Sequence, residues 1–535
     1  MATTAKIIAE RLYEAGCRHA FGIPGGEILT LMDALAGVGI DFVLVKHENN
    51  GGFMAEGTHH FTRSPCILIA TVGPGVANAI NVVTNCFQDQ VPLIFLTGCI
   101  DPIVTETFTH QVFDHGELLK SITKASFTMI DGASDVIIDK AVSIAMDEKP
   151  GPVHIDIPIS IAEKNQSFSS KTRRNTPAPM RPAMSKDFNT ARAWFKESRF
   201  PLIIAGIDVL HHDAAPIITE VIEKFKIPLI TTYKAKGVLP EDHPCALGAA
   251  GLSPKADKIL QPLIESSDLI ILVGYDPIEM RASWVSPWTQ SKMVIEFSAT
   301  LNTHYMHQAR FSFIGHVGAG LLSLTENIEA QEIWSDNKPS KIRKAHKEAF
   351  LSEESWGPSQ IVKGARRALP RKGIATVDTG AHRIFVSQAW ECFEPRSLLQ
   401  STGLCTMGVA IPLAIGRKLS EPNRHIIAFT GDAGLEMVLG EIATLRDLRL
   451  AIPIIIFVDE QLALIEMKQR QSQLTNLGVN FGGTDFVAVA NGMGGVGVVA
   501  TSITEVEKEI KAAFLRQTYT LIACPIGKNA YDGKI

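Results

Sequence analysis

The sequence predicts an α/β protein made of three doubly wound domains, each with a parallel β-sheet covered by helices on both faces. Short, nearly continuous apolar runs recur along the 535 residues, and amphipathic segments of helix length separate them. Parallel strands are buried on both faces, so they read as such runs rather than as an alternating pattern. Two polar stretches, 163–182 and 331–358, divide the chain into predicted domains at 1–165, 183–330 and 355–535.

Each predicted domain contains several runs of strand length. They are 42–45, 66–72, 93–97 and 153–157 in the first domain, 202–205, 229–232, 269–273 and 294–297 in the second, and 374–377, 426–430, 454–458, 496–500 and 521–524 in the third. Residues 1–16 predict an amphipathic helix, and the glycine-rich segment 49–57 predicts a second helix directly after Glu48.

Composition excludes several classes of protein. The chain is 46% apolar and 20% charged, with a net charge of −5, so no global positive field favours nucleic acid. No apolar run approaches the roughly 18 residues that a membrane helix needs, and residues 1–16 lack the apolar core of a signal peptide. The eight cysteines form no Cys-x-x-Cys pair, which favours free thiols in a reducing, cytoplasmic location.

The most informative motif is Gly431-Asp432-Ala433-Gly434, which follows the predicted strand 426–430. Asp459 ends the next predicted strand, so two carboxylates stand at the carboxyl ends of strands, where open α/β sheets bind ligands. Oxygen ligands at such a position suit Mg²⁺, which shares its shell with phosphate oxygens. Ala433 and Gly434 are small enough for backbone N–H groups to approach a diphosphate. The last third of the chain therefore predicts a Mg²⁺–diphosphate site.

A second acid stands far upstream. Glu48 ends the segment Val43-Leu44-Val45-Lys46-His47-Glu48 and begins a predicted helix. The helix dipole stabilises an acidic residue in the first turn, so the pattern alone fits either a structural acid or a catalytic one.

These two motifs resemble those of thiamine diphosphate (ThDP) enzymes, and in particular the acetohydroxyacid synthase (acetolactate synthase) branch. That family carries Gly-Asp-Gly followed further on by Asn-Asn, whereas this chain has Ala433 for the last glycine and Val458-Asp459 for the closing pair. Other segments resemble the same family in the same order along the chain. They are 21–27, 71–75, 151–158, 232–244, 378–382 and 401–408.

The resemblance implies a pyrimidine-binding first domain, a central domain and a diphosphate-binding last domain, with ThDP and Mg²⁺ as cofactors. Glu48 would hydrogen-bond the aminopyrimidine ring and so promote formation of the nucleophilic ylide. The metal ligands would be Asp432, Asp459 and the backbone carbonyl of Gln461. The other cofactor-binding residues that the resemblance implies are Gly73, His382, Met407, Ala433, Gly434, Leu464 and Ile465.

The substrate side is less clear from the sequence. Gly25 and Gln111 match family positions and are expected to be catalytic. His110 replaces an apolar family residue, so it is either a proton donor beside the cofactor or a surface histidine. Lys468 falls where synthases that select 2-ketobutyrate carry Trp, which argues against a branched-chain biosynthetic role.

The resemblance implies attack on the carbonyl of a 2-keto acid or related compound, followed by decarboxylation to a carbanion–enamine bound to the cofactor. Protonation would then release an aldehyde, and capture by a second carbonyl compound would give acetolactate synthase-like carboligation. Cleavage of a diketone or acyloin by a lyase or hydrolase, and a catalytically inactive homologue, stay open. A dehydrogenase is disfavoured because no Gly-x-Gly-x-x-Gly begins a suitable helix. FAD is possible but not predicted, since segment 274–281 departs from the motif of flavin-containing acetolactate synthases.

Glu48 and Asp432 lie in different predicted domains. In the resembling family, the first and last domains that share one cofactor come from different subunits. We therefore expect a homodimer or homotetramer with active sites at the subunit interface and a small 2-keto acid or aldehyde as substrate.

Overall fold

The computed structural model describes residues 1–105, 107–169, 171–174, 177–278, 280–351 and 355–535. Three six-stranded sheets, all with parallel pairing, occupy the three parts of the chain in order. This confirms the predicted α/β class with three parallel sheets. The domain boundaries themselves stay predictions.

The first sheet places its strands in the spatial order Asp41–Leu44, His19–Gly22, Cys66–Ala70, Leu93–Cys99, Val153–Pro158 and Ala125–Thr128. The short strands Ala2–Thr3 and Asn165–Gln166 pair antiparallel beside it. The helices of this part are Thr4–Glu14, Gly26–Ile28 (3₁₀), Leu29–Val38, Glu48–Thr62, Pro74–Asn78, Ile80–Gln88, Pro102–Thr105, His115–Leu119, Ser134–Ala145 and Ile159–Ala162.

The central sheet has the order Ala246–Ala250, Leu229–Thr232, Pro201–Ala205, Leu269–Val273, Met293–Ser298 and Phe311–Ile314. Its helices are Lys186–Glu197, Asp208–His211, Ala215–Phe225, Pro254–Ser266, Ala282–Trp284 (3₁₀) and Val317–Thr325. The polar stretch predicted as the second linker contains one more helix, Lys338–Phe350.

The last sheet has the order Leu398–Leu399, Ile374–Val377, Ile426–Gly431, Pro453–Val458, Thr520–Pro525 and Val496–Val499. Its helices are Pro358–Ala368, Ala381–Ala389, Ala410–Ser420, Asp432–Glu436, Glu441–Asp447, Ala463–Gln471, Phe486–Gly492 and Ile503–Ala513.

All thirteen predicted strands are present, with ends that differ by at most two residues. The structure adds five further sheet strands, and four of these lie at sheet edges. Edge strands bury less surface and so carry a weaker apolar signal. The added strands are His19–Gly22, Ala125–Thr128, Ala246–Ala250, Phe311–Ile314 and Leu398–Leu399.

The first and last domains pack directly on each other through the helices Glu48–Thr62 and Ala410–Ser420. Glycines allow the close approach: a Cβ on Gly416 would lie 1.7 Å from the carbonyl oxygen of Met54, and one on Gly57 would lie 2.5 Å from that of Leu413. One continuous hydrophobic core cluster includes residues of both helices and of both sheets. The helix that begins with Glu48 is therefore fixed against the last domain of the same chain.

Among the helices that the structure describes, none combines the length and the apolar character needed to cross a membrane.

Candidate active site

The two predicted metal-binding carboxylates lie at the ends of neighbouring strands. Asp432 directly follows strand Ile426–Gly431, and Asp459 follows Pro453–Val458, with which that strand pairs. The Asp432 carboxylate accepts hydrogen bonds from the backbone N–H groups of Ala433 (2.8 Å), Asp459 (3.0 Å) and Glu460 (2.7 Å). These bonds fix the carboxylate and tie the two strand ends together.

Both carboxylates lie in surroundings that disfavour their negative charges. Burial, reinforced by the nearby charge of Asp432, raises the pKa of Asp459 to about 7. Burial likewise raises the pKa of Asp432. The side chain of Asp459 accepts a hydrogen bond of 3.1 Å from the N–H of Gln461, so the third predicted ligand is held next to the second. Two adjacent buried carboxylates are the donor set that a divalent cation would stabilise.

A cavity of about 140 Å³ opens beside these carboxylates. Nine residues that the sequence analysis assigned to the cofactor or the metal line it. They are His382, Met407, Asp432, Ala433, Gly434, Asp459, Gln461, Leu464 and Ile465. Thr379, Phe457 and Tyr531 are among the other lining residues, and the sequence predicted no site role for them. These nine residues form the predicted diphosphate-binding set. They are all the cofactor and metal residues predicted in the last domain, and they surround one space.

Helix starts and unpartnered polar atoms give this cavity the character of an anion site. The helices Ala381–Ala389 and Ala463–Gln471 begin at it, and neither has a side-chain cap. Uncapped helix N-termini leave backbone N–H groups free to bind anions. Nε2 of His382 and Oγ1 of Thr379 are buried without a hydrogen-bond partner. The described residues therefore fit a diphosphate bound together with a divalent cation.

The loop that carries Met407 is held by a buried acid. The carboxylate of Asp378 accepts hydrogen bonds from the N–H groups of Thr379 (2.8 Å), Gly408 (2.7 Å) and Val409 (3.1 Å). Burial raises the pKa of Asp378 to about 6 even though these bonds favour its ionised form. Met407 is thus positioned by the backbone on its carboxyl side.

Residues of the other two domains hold the beginning of this loop. The carboxylate of Asp89 accepts hydrogen bonds from the N–H groups of Thr402 and Gly403 and forms an ion pair of 2.9 Å with Lys234. Lys234 also donates a hydrogen bond to the carbonyl of Gln400. All three domains therefore contribute to the position of the loop.

Glu48 is the first residue of helix Glu48–Thr62 and is only 4% exposed. Its carboxylate accepts a hydrogen bond of 3.0 Å from Nδ2 of Asn78. A Cβ on Gly75 would lie 3.3 Å from Oε1 of Glu48, so the glycine leaves room for the acid. The buried carboxylate of Glu441, from the last domain, accepts hydrogen bonds from the N–H groups of Lys46 (2.9 Å) and His47 (3.1 Å). Glu48 is thus held in place from both domains.

The remaining predicted residues lie in loops of the first domain. Gly73 has a φ of +71°, and a Cβ there would lie 2.6 Å from the carbonyl oxygen of Gln111. A Cβ on Gly25 would clash with the hydroxyl of Thr71. His110 is exposed and lies edge-on to the ring of Phe108. None of Gly25, Glu48, Gly73, His110 and Gln111 lines the cavity of the last domain within this chain.

Sequence reasoning missed Asn78, Glu441, Thr379 and Tyr531. Thr379 lies in segment 378–382, which resembles the family, and it could have been predicted from that segment. Asn78 and Glu441 act through contacts between segments that are distant in sequence, and nothing in their local pattern marks them.

Comparisons with known proteins show which family this chain is similar to. Family models for thiamine pyrophosphate enzymes match the N-terminal TPP-binding domain over residues 2–118, the central domain over 188–348 and the C-terminal TPP-binding domain over 378–524. Together the three matches cover well over half of the chain.

Curated relatives are similar over nearly the whole length. The acetolactate synthase of Bacillus subtilis (strain 168) is 26% identical, over 98% of this chain and 93% of its own. The acetolactate synthase isozyme 1 large subunit of Escherichia coli (strain K12) is 29% identical, over 92% of this chain and 88% of its own. The acetolactate synthase large subunit of Lactococcus lactis subsp. lactis (strain IL1403) is 27% identical, over 87% of this chain and 82% of its own. With TPP-binding domains matched at both ends and the predicted diphosphate-binding set gathered in one cavity, this chain belongs to the thiamine pyrophosphate (ThDP) enzyme family.

Proposed function

We propose that this protein is a ThDP- and Mg²⁺-dependent enzyme that acts on a 2-keto acid or a related carbonyl compound. Decarboxylation and acetolactate synthase-like carboligation are the proposed reactions. The observation that carries the proposal is the cavity in which two adjacent carboxylates meet uncapped helix starts. When bound, ThDP supplies a nucleophilic carbon and accepts the electron pair of the bond that breaks next to the carbonyl.

The residues of the cavity divide into three tasks. Asp432, Asp459 and the backbone carbonyl of Gln461 would hold Mg²⁺. The backbone around Gly434 and at the start of helix Ala463–Gln471 would bind the diphosphate. The remaining residues would contact the rings or the linker of the cofactor. They are His382, Met407, Leu464 and Ile465.

In this proposal, Glu48 exchanges a proton with the pyrimidine ring. Its carboxyl group is buried and receives a hydrogen bond from Asn78, which fixes its orientation. A positioned acid of this kind contributes typically 10²–10⁴-fold to a rate. His110 is exposed in this chain. Covered by a partner subunit, it would be able to donate a proton at the reacting carbon, which would favour release of an aldehyde.

The proposed active site forms between two subunits. Glu48 and its neighbours do not line the cavity of their own chain. We infer that the first domain of one subunit faces the last domain of another in a homodimer or homotetramer. The cytoplasmic location stays a prediction from the sequence.

Cofactor titration tests the core of the proposal. ThDP and Mg²⁺ are added to the wild type, to Asp432→Ala and to the control Glu507→Ala, which removes an acid of the outer helix Ile503–Ala513, and binding is followed by circular dichroism. We expect tight binding to the wild type and the control, and a loss of at least tenfold in affinity for Asp432→Ala. Equal affinity in all three proteins would contradict the assigned site.

Substrate class is then assayed with a panel of 2-keto acids, with and without acceptor aldehydes. CO₂ release and product mass distinguish decarboxylation from carboligation. A wild-type protein that binds ThDP and releases CO₂ from no member of the panel would refute the proposed substrate class.

A further inference from the structure

A chain of buried hydrogen bonds lies behind the turn at Gly73. It contains two histidines of the first domain, His115 and His154, which are 3% and 0% exposed. His154 lies in segment 151–158, which resembles the family, but the sequence predicts no site role for either histidine. The links are Ser126 Oγ to His154 Nδ1 (2.7 Å), His154 Nε2 to Thr97 Oγ1 (2.8 Å), Thr97 Oγ1 to Asp156 Oδ1 (2.6 Å), Asp156 Oδ1 to His115 Nδ1 (2.7 Å) and His115 Nε2 to the N–H of Gly73 (3.3 Å).

Donors and acceptors in this hydrogen-bond network can be assigned by starting from Asp156. Burial alone would raise the pKa of Asp156, but hydrogen bonds from His115 and His154 outweigh it and lower the pKa, so the carboxylate is ionised and only accepts. Nδ1 of His115 must therefore carry the proton and donate it to Asp156. Its Nε2 then presents a lone pair, which accepts the N–H of Gly73.

The other branch is consistent with the same assignment. The Thr97 hydroxyl donates to Asp156 and thus accepts from Nε2–H of His154. Nδ1 of His154 is hydrogen-bonded to the hydroxyl of Ser126. Each ring nitrogen of the two histidines thus has a hydrogen-bond partner.

A metal ion is the alternative occupant, because His115, His154 and Asp156 offer ligand atoms that lie within 4.8 Å of one another. The distances disfavour it. His115 Nδ1 and Asp156 Oδ1 are 2.7 Å apart, whereas two ligands that each lie 2.0–2.1 Å from a tetrahedral zinc ion are about 3.3 Å apart. A metal would also have to replace hydrogen bonds that engage every nitrogen of the two rings.

At its Gly73 end, the hydrogen-bond network lies close to Glu48, the acid of the proposed active site. Gly73 precedes helix Pro74–Asn78 and has a φ of +71°. Within that short helix, Asn78 donates to the Glu48 carboxylate, and Gly75 leaves room for it, since a Cβ on Gly75 would lie 3.3 Å from Oε1 of Glu48. The orientation of the Gly73 peptide therefore bears on how Asn78 and Gly75 are placed beside Glu48.

We propose that His115, oriented by Asp156, is a positioning residue that holds the N–H of Gly73 and so fixes the turn that presents Gly75 and Asn78 to Glu48. The inference rests on the proposed function, because it gives the network a role only if Glu48 serves the cofactor.

Three substitutions separate this role from simple packing. His115→Phe keeps a ring but removes both hydrogen bonds. His115→Asn keeps a donor for Asp156 but is too short to reach Gly73. His115→Gln loses the ring but provides an acceptor at the distance of Nε2, so it is the variant that should restore the contact with Gly73.

Two measurements are made on the full-length protein. Amide hydrogen exchange of segment 71–79 reports the Gly73 contact without any cofactor, and the sheets of the other two domains serve as an internal control for folding. The rate at which the C2 proton of added ThDP exchanges in D₂O, with Mg²⁺ present, reports the action of Glu48 without a substrate.

One net hydrogen bond corresponds to roughly 2- to 12-fold in an equilibrium constant. We therefore expect about that acceleration of amide exchange in His115→Phe and His115→Asn, a slowing of C2 exchange of similar size, and recovery of most of both in His115→Gln.

Several results would overturn the inference. Wild-type behaviour of His115→Asn in either measurement would do so, as would a His115→Gln variant no better than His115→Asn. Stoichiometric zinc in the wild type that is lost from the variants would show a metal site instead. Failure of the proposed function looks different. The wild type would then bind no ThDP, or Glu48→Ala would leave C2 exchange unchanged, while amide exchange of segment 71–79 would still decide whether His115 holds Gly73.

Discussion

Removing the carboxylate of Glu441 should slow the reaction although this residue lines no part of the cofactor cavity. Glu441 is fully buried and accepts hydrogen bonds from the N–H groups of Lys46 and His47 and from Nδ2 of Asn50. Its other oxygen accepts from the hydroxyl of Thr444. These bonds hold the two residues directly before Glu48, so their loss acts on the position of the acid.

The magnitude follows from the number of donors left without a partner. Each buried donor that loses its acceptor costs about 1–3 kcal/mol, so two backbone N–H groups together cost about 2–6 kcal/mol if water does not replace the carboxylate. Part of this energy would be recovered by a shift of segment 46–48. A misplacement of about 1 Å can cost about 10²-fold in rate. We expect Glu441→Ala to slow C2 proton exchange of bound ThDP by roughly 10- to 100-fold.

The matched control is Glu441→Gln. Its amide oxygen still accepts from the N–H groups of Lys46 and His47. Its amide nitrogen can donate to the Thr444 hydroxyl, which then accepts a hydrogen bond instead of donating one. This variant should keep most of the exchange rate. If Glu441→Ala exchanges the C2 proton as fast as the wild type while its fold is unchanged, Glu441 does not position Glu48.

Four further predictions concern the site and the fold. Glu48→Ala should bind ThDP normally but lower turnover by about 10²–10⁴-fold, and near-normal turnover would remove Glu48 from the mechanism. Asp459→Ala should weaken Mg²⁺ and ThDP in parallel when both are titrated; an unchanged ThDP affinity would exclude it as a ligand. Mixed Glu48→Ala and Asp432→Ala subunits should regain activity, because a hybrid dimer contains one intact site; subunits that exchange without recovery would place the site in one chain. Burial lowers the pKa of His346 to about 4, so the free energy of unfolding should fall by about 3 kcal/mol as the pH drops from 6.5 through 4. In thermal unfolding, His346→Gln should lose less stability than the wild type over this pH range. An identical pH dependence of the two proteins would refute the role of His346.

The sequence was most informative where local pattern and three-dimensional position coincide. Most central parallel strands are buried on both faces, so their apolar runs predicted them closely, whereas the edge strand Ala125–Thr128 carries mixed residues and was missed. Asp432 and Asp459 could be paired because neighbouring strands of a parallel sheet end at one edge.

Contacts between distant segments could not be predicted in this way. Glu441 meets Lys46 across nearly 400 residues, and His115 meets Gly73 only because a turn and a helix start lie side by side. Tyr531 lines the proposed cofactor cavity and packs near Phe457, although no motif around it indicates this position. Such contacts depend on the assembled fold rather than on residue type.

The glycine contact between helices Glu48–Thr62 and Ala410–Ser420 sets a rule for recombining this protein with its relatives. The two backbones can come this close at Met54 because residue 416 is a glycine. A crossover that brings in a larger residue at this position would force the domains apart. A chimera should therefore inherit both helices from one parent, and an N-terminal domain produced alone would expose an apolar helix face to solvent and aggregate.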